Sequence, residues 1–559
     1  MLRKWILITA LGAAVAAQPA PPQAPSTYRI SGTVVDSVRG EVLADIEISI
    51  SISQAESVLQ TVITGSDGRF EFSGLAPAKY SLSARGHGYL PQGYEQHHAY
   101  ATAIVTGPGF ETENLVFRLM PDASISGTVT DEFGDPVPLA QILLFVSVPE
   151  AAQAVVLWDK TTASDAGYFH LSPLREGKYY VAVTAHPWYA RNDSEDGEET
   201  ASVTPDGEAV APGGPSRSQN ATASVVPRHS ELDVAFQTRY YVNATEPELA
   251  TPIVLKPGDR ATADFHLFAV PAVHLKIRGV PAFANAVGPL VLRERIFSYS
   301  RQVVSQAFDE DATELDSLAP GRYLLELPAQ EQGGLPQQRP LDLVADTEVV
   351  PGENSRSVST VTGTVQIEGT KVSCQRCKVR FVNLPYGDAF VTQNTPEGFQ
   401  IDGGLPPGNY VVLALNQEGY FIKNISAVGA KVIGKQVEIQ SGANVRLSIV
   451  VTKGTGTVDG LALRSGKPFS QAAVFLAPND PTHNWTLFRR DQSDSDGTFS
   501  LLRVLPGEYT VFAVAEGWDL EWANPAALRP YLGGGVKVRV QPGSKIRVEV
   551  TVQALVSAP

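Results

Sequence analysis

SDSDGTFSLLRVLPGEYTVFAVAEGW, residues 493–518, alternates apolar and polar side chains on both sides of a Pro-Gly turn, and related stretches recur along the chain. They are TGSDGRFEFSGLAPAKYSLSARGHGY from Thr64 to Tyr89, ASDAGYFHLSPLREGKYYVAVTAHPW from Ala163 to Trp188 and NTPEGFQIDGGLPPGNYVVLALNQEGY from Asn394 to Tyr420. A degraded copy, DEDATELDSLAPGRYLLEL, runs from Asp309 to Leu327. Their corner tyrosines, Tyr80, Tyr179, Tyr323, Tyr410 and Tyr509, lie 99, 144, 87 and 99 residues apart. Solenoid repeats are roughly 20–50 residues long, so this longer period means repetition of whole domains.

Two more signatures keep the same order. Each copy except the degraded one is preceded by a strand of the type ISGTVVD (Ile30 to Asp36), ISGTVTDEFGDPV (Ile125 to Val137), VTGTVQIEG (Val361 to Gly369) or GTVDGLALRSGKP (Gly456 to Pro468). Each copy is followed by a Gly turn and an alternating strand, as in LKPGDRATADFHLF and VQPGSKIRVEVTV. Five modules are expected, near 27–120, 121–270, 271–358, 359–452 and 453–554, the third divergent. The long interval falls at 190–232, which is rich in Gly, Pro, Ser and Glu and nearly lacks large apolar side chains. Such a segment buries too little apolar area to offset its ordering entropy, and it reads as a disordered insertion in the second module.

Period-two alternation, Phe70 with Phe72 and Phe499 with Leu501, indicates strands with one buried face. With 48 Gly and 40 Pro between such strands and no amphipathic helix, the chain reads as all-β, a row of five tandem antiparallel β-sandwich domains. Asp67-Gly68 and Asp496-Gly497 are expected to turn tight hairpins, and the Pro-Gly at 320–321, 407–408 and 506–507 to turn the chain within the middle hairpin, two residues before the corner tyrosine. The tyrosine hydroxyl can then reach back to a backbone carbonyl, as in a tyrosine corner.

The pattern G-T-V-x-D, then D-G-x-F-x-F-x-x-L-x-P-G-x-Y, then A-x-G-[YW], resembles the carboxypeptidase regulatory-like domain. That resemblance implies a transthyretin-like (prealbumin-like) Greek-key sandwich related to starch-binding, carbohydrate-binding-like folds. It covers modules one, two, four and five, and module three only at its corner. Such domains often accompany metallocarboxypeptidases or outer-membrane transporters, and neither partner is encoded in this sequence. The modules also look similar to the B-type repeats of collagen-binding adhesins, which implies a Lys-to-Asn isopeptide bond. The first module departs from that pattern, with Arg29 on its first strand and Lys79 as its one lysine.

The 559 residues carry a formal charge of −15, which disfavours nucleic acid as a partner. The start MLRKWILITALGAAVAAQPA has a basic Arg3-Lys4 pair, a short apolar run and the A-x-A arrangement Ala14-Val15-Ala16. It reads as a signal peptide, residues 1–17, cut near Ala16 or Ala17, with a Pro-rich linker at 18–26. The apolar run falls short of the roughly 20 residues of a membrane span, so an exported, periplasmic or extracellular chain with no span in its mature part is expected. Cys374 and Cys377 are then candidates for a short disulfide.

Catalytic and metal motifs are not apparent, and neither a cofactor nor an enzyme activity is expected. The histidines fall in no H-x-x-E or H-E-x-x-H spacing, and there is no G-x-S-x-G or S-x-x-K. His97-His98 reads as an exposed loop, because adjacent strand residues point to opposite faces. Asp491, Asp494 and Asp496 look superficially like a calcium loop, but with Gly497 at the sixth position the first ligand would be Gln492 and the twelfth Arg503. A turn with solvated carboxylates is expected instead. The aromatics that end each repeat, Tyr89, Trp188, Tyr189, Tyr420, Trp518 and Trp522, are candidate ligand platforms for sugar rings, or else caps on their own sandwiches. The expected role is structural or protein-interaction, at the cell envelope or outside the cell. Polysaccharide binding through these aromatics is the alternative, and the partner, protein or polysaccharide, is unknown.

Overall fold

The structure is a computed structural model. It describes residues 27–556 apart from 54–56, 149–153, 191–231, 280–287, 308–311, 330–334, 353–354, 371–372, 375–376, 385–388, 416–418, 482–483 and 523. The expected leader, the Pro-rich linker and nearly all of the 190–232 insertion lie outside the described residues.

The chain is all-β. In the first module Arg69–Leu75, Tyr28–Asp36 and Leu115–Leu119 form one sheet, in that order. Val58–Ile63, Glu47–Ile52, Lys79–Arg85 and Gln92–Gly93 form the other. Ile30, Val34, Ile48, Phe70, Phe72, Leu82 and Phe117 fill the space between them. Alternation decides this: Arg69–Leu75 buries every second residue through Phe72, and each apolar side chain so enclosed contributes about 1.5–3 kcal/mol. Equivalent clusters occupy the second, third, fourth and fifth modules. The divergent third module keeps a three-stranded and a five-stranded sheet.

Each sandwich pairs its opening and closing strands in parallel. The opening strand lies beside the closing strand at Tyr28–Asp36 with Leu115–Leu119, Ala123–Thr130 with Arg260–Thr262 and Val273–Arg278 with Thr347–Val349. The same pairing joins Thr360–Ile367 to Asn444–Thr452 and Gly456–Arg464 to Lys545–Gln553. The recurring glycine of the G-T-V signature belongs to this contact. A Cβ on Gly32 would stand 2.2 Å from the Leu115 carbonyl oxygen, and one on Gly127 2.0 Å from that of Ala263.

The strands on either side of the turn before each corner tyrosine do not form the expected hairpin. Arg69–Leu75 pairs with Tyr28–Asp36, whereas Lys79–Arg85 pairs with Glu47–Ile52, so the turn between them carries the chain from one sheet to the other. The Asp-Gly turn crosses as well, from Val58–Ile63 to Arg69–Leu75. Local alternation is the same on both sides of a crossing and of a hairpin, which is why the sequence pattern could not separate them. At all five crossings the corner tyrosine donates its hydroxyl to the carbonyl four residues earlier. Tyr80 reaches Ala76, Tyr179 Arg175, Tyr323 Ala319, Tyr410 Pro406 and Tyr509 Leu505, at 3.0, 3.1, 2.7, 2.7 and 2.7 Å.

A helix that the pattern did not suggest runs over Pro525–Leu532 in the fifth module. Asn524 caps it by accepting the Ala526 amide at 3.0 Å, and Pro525 occupies the first turn, where a missing N–H costs nothing. Leu528 and Tyr531 bury against Phe512, whose ring stacks on Tyr531 at 5.9 Å.

Neighbouring modules touch in sequence, and the last touches the first. Asp122 donates to the Gly88 carbonyl at 3.1 Å between modules two and one. Thr238 donates to Glu294 at 2.5 Å between two and three. Ser357, paired with Gln337 of the third module, accepts the Gly442 amide of the fourth at 2.9 Å. Lys435 of the fourth module lies near Arg489 of the fifth, and burial, with that guanidinium, pushes its ammonium down to about 8. The fifth module meets the first through the segment 489–498.

Candidate functional site

Polar side chains from two modules meet at this junction of the first and fifth modules. Its first half is a loop over residues 93–103. Glu95 and His98 both take left-handed φ, +47° and +52°, and Gly93 donates to Gln96 Oε1 at 2.6 Å. His97 and Tyr100 exchange backbone bonds of 2.8 and 3.0 Å. Its second half is the acidic turn. Gly497, at φ +78°, donates to the Asp494 carbonyl at 2.8 Å, and the Thr498 amide donates to Asp496 Oδ1 at 3.0 Å.

The two halves interlock through named atoms. Lys79 Nζ donates to Asp494 Oδ2 at 2.6 Å and to Thr498 Oγ1, with Asp496 Oδ1 at 3.9 Å. The Ala103 amide donates to Asp494 Oδ1 at 2.9 Å, and the Ser495 amide to the Ala103 carbonyl at 3.0 Å. Val105 donates to Ser495 Oγ at 2.9 Å. Gln492, 1% exposed, donates from Nε2 to the Glu95 carbonyl at 2.7 Å and to Thr102 Oγ1 at 2.6 Å. The His97 ring stacks on Trp518 with centroids 4.3 Å apart, and His98 Nε2 meets the Trp518 carbonyl oxygen at 3.1 Å. Arg490 lies over the Tyr100 ring at 5.4 Å.

Burial shapes the charges here. It pushes the Asp491 carboxyl up to about 6, and the neighbouring Asp494 charge adds to the rise, against hydrogen bonds from the Ser500 and Gln492 amides. Asp494 is also raised by burial, against the Lys79 bond and charge that pull it down. The carboxylates expected to be solvated are therefore enclosed, with Asp494 and Asp496 side chains 17% and 16% exposed. The histidine pair is likewise not a free loop: the left-handed turn at His98 breaks strand alternation, and both rings reach the fifth module.

A second polar region is a cleft of about 880 Å³ between modules two and three, lined by Tyr180, Phe297, Glu294, Arg301, Arg322 and Asp342 among others. Arg301 donates from Nε to Glu294 Oε2 at 3.0 Å, and Arg322 is gripped by Glu246 and Glu248. Its floor is apolar: Phe297 packs on Phe145, Tyr180 and Tyr240 at 4.9, 5.2 and 5.4 Å.

The six candidate aromatics do not converge on one surface. Tyr89 donates to Asp36 Oδ2 at 2.9 Å and accepts from Arg39 at 3.2 Å, within its own module. Trp188 is 80% exposed and meets the edge of Tyr189, whose hydroxyl donates to Glu132 at 2.5 Å. Tyr420 packs on the fourth core with Lys453 Nζ 4.2 Å from its ring centroid. Trp518 and Trp522 share one cluster, where Trp522 is 8% exposed and lies 5.0 Å from Phe488. Cys374 and Cys377 are joined, with Cα atoms 5.4 Å apart and Cys377 buried. Lys79, the residue weighed for an isopeptide bond, contacts Asp494 and Thr498 of the fifth module. The sequence pattern does not mark Lys79, Gln492 and Thr102 as junction residues. The available signal was the acidic residue Asp494 at the place where the first module has Gly65. Among the described residues no three His, Cys, Asp or Glu side chains gather as a metal site, and no helix is long and apolar enough to cross a membrane.

The carboxypeptidase regulatory-like domain family matches residues 29–119, the first module. No curated protein matches the chain. Among solved structures, the Bacillus anthracis TIE protein is 10% identical over 96% of this chain and 75% of its own, with a TM-score of 0.18. A Streptococcal ancillary pilin is 10% identical over 58% of this chain and 98% of its own, with a TM-score of 0.19. The shaft pilin SpaA from Lactobacillus rhamnosus GG is 10% identical over 44% and 98%, with a TM-score of 0.19.

Proposed function

We propose that this chain is an exported, non-catalytic array of five β-sandwich modules, with the bounds read from the sequence, that acts as a structural or protein-interaction scaffold at the cell envelope or outside the cell. The observation that carries this reading is where the polar side chains go. Lys79 with Asp494, Glu294 with Arg301 and Thr238, and Arg322 with Glu246 and Glu248 hold modules together or line their seams. A polysaccharide-binding reading keeps one specific support, the exposed Trp188 ring with Tyr189 edge-on to it. Exposed aromatic faces of this kind suit sugar rings.

Two measurements test the choice. A screen of glycoside, ester and peptide substrates should give no turnover above a protein-free control, and a rate abolished by one side-chain substitution would overturn the non-catalytic reading. On insoluble polysaccharide columns the wild type should elute with Trp188→Ala. Retention of the wild type that disappears in Trp188→Ala, with unchanged melting, moves the function to glycan binding.

A further inference from the structure

The junction of modules one and five differs in kind from that of modules two and three. Between two and three, Leu143, Phe145, Tyr240 and Ile296 form a continuous apolar cluster with Phe297, and separating them would expose it to water. Between one and five the contact is made by an ion pair, hydrogen bonds to backbone groups, Gln492, one stacked ring pair and the Arg490 guanidinium over the Tyr100 ring. The two core clusters there are each closed without the other. Undocking leaves mainly polar groups that water can satisfy, the property of interfaces that form and separate reversibly.

Chain connectivity plays no part in this contact. Its hydrogen-bonded residues stand 390 or more positions apart, and the faces belong to the two terminal modules of the array. A fifth module from another molecule presents the same Asp494, Ser495, Gln492 and Trp518 to the same first-module face.

We propose that the junction is exchangeable: the fifth module of one copy docks on the first module of a second copy through the Lys79–Asp494 ion pair and the Ala103–Ser495 backbone pairing. The proposal rests on the scaffold reading and names its partner as a second copy of this chain. Reciprocal exchange closes a two-fold dimer with two identical junctions, whereas one-way exchange leaves a free face at each end and extends. The intramolecular contact benefits from an effective concentration in the mM range, so the closed monomer dominates in dilute solution and exchange grows with protein concentration.

Charge reversal in full-length chains tests this directly. Lys79→Glu and Asp494→Lys each place like charges at their own junction. In a 1:1 mixture, a reciprocal dimer contains one junction with the native Lys79–Asp494 pair and one in which both signs are reversed, so both junctions are satisfied only between copies. Analytical ultracentrifugation should show a heterodimer in the mixture at concentrations where neither variant dimerises alone. A second measurement covers loss of the Ala103 hydrogen bond in Asp494→Lys. Chains with Ala103→Cys, mixed with chains with Ser495→Cys and oxidised, should give a reducible covalent dimer whose yield falls on dilution. A mixture that stays monomeric in both experiments overturns the exchange, while the scaffold reading stands or falls separately on turnover and glycan retention.

Discussion

The same turn is built twice, at Thr64–Arg69 in the first module and at Ser493–Thr498 in the fifth, and the two copies have opposite surroundings. In both, a buried hydroxyl staples the neighbouring strand. The Ile46 amide donates to Thr64 Oγ1 at 3.0 Å, which donates to the Leu43 carbonyl at 2.7 Å. The Ala472 amide donates to Ser493 Oγ at 2.8 Å, which donates to the Phe469 carbonyl at 2.8 Å. Both close with a left-handed glycine, Gly68 at +67° and Gly497 at +78°. What differs is the outward face. The first module carries Ile63 and Gly65 and leaves the Asp67 side chain 64% exposed, whereas the fifth carries Gln492 and Asp494 and buries both against the first module. The folding part of the motif is therefore indifferent to context, and the residues on its outward face, Gln492, Asp494 and Thr498 where the first module has Ile63, Gly65 and Arg69, make it part of an interface.

The largest effect should come from truncating the aspartates of the two turns. Asp494→Ala removes the nearer of the two carboxylates facing Lys79 and the acceptor of the Ala103 amide together. Loss of charged hydrogen bonds of this kind is worth roughly 2 kcal/mol. Hydrogen exchange should show protection at the Ser495 and Val105 amides falling roughly ten- to a hundred-fold. Asp67→Ala removes only the acceptor of its own Arg69 amide, at 3.2 Å, and, with no enclosing module, should leave exchange at the junction unchanged. Equal responses from the two variants would break the comparison.

How much of this was legible depends on which interactions are local. The alternation of Phe70 with Phe72, the crossing tyrosines and the opening glycines repeat because each answers a constraint within one sandwich, and a repeat exposes such constraints without any structure. Whether Leu75 to Lys79 closes a hairpin or crosses between sheets is set by strands tens of residues away, so alternation is silent on it. The helix at Pro525–Leu532 was hidden by its shortness, although Asn524-Pro525 is a fair start signal. The junction was less legible still. Lys79 and Asp494 are 415 residues apart, and only their geometry joins a lone lysine to an extra acid.

A second difference between the turns is electrostatic. Asp491 in the fifth module stands where the first has Val62. Because burial raises the folded-state pKa of Asp491 to about 6, above that of an unfolded aspartate, the folded module takes up a proton between about pH 4 and 6. The stability tied to this group is thus fully present below about pH 4 and is lost as pH rises through 6, on the order of 3 kcal/mol. Melts followed by tryptophan emission, to which Trp518 and Trp522 contribute, should shift upward on acidification from pH 7 to 5. Asp491→Asn should flatten that slope whatever its effect on absolute stability, since Asn cannot titrate. A slope that persists in Asp491→Asn would assign the dependence to another group.

The smallest effect tests the shared part. Tyr80→Phe and Tyr509→Phe each delete one hydroxyl that donates to a carbonyl four residues earlier, at 3.0 and 2.7 Å, and leave the ring packing intact. A bond of this type contributes about 1 kcal/mol net. Each variant should lose about that amount in urea melts resolved by module, and the two losses should agree because the corner is the same device in both places. Hydrogen exchange at Val105 and Ser495 should stay at wild-type rates in both, since neither hydroxyl touches the junction. A Tyr509→Phe chain that keeps full stability removes the hydroxyl from the account of the corner, and one that loosens the junction shows that docking depends on the rigidity of the crossing as well as on Asp494.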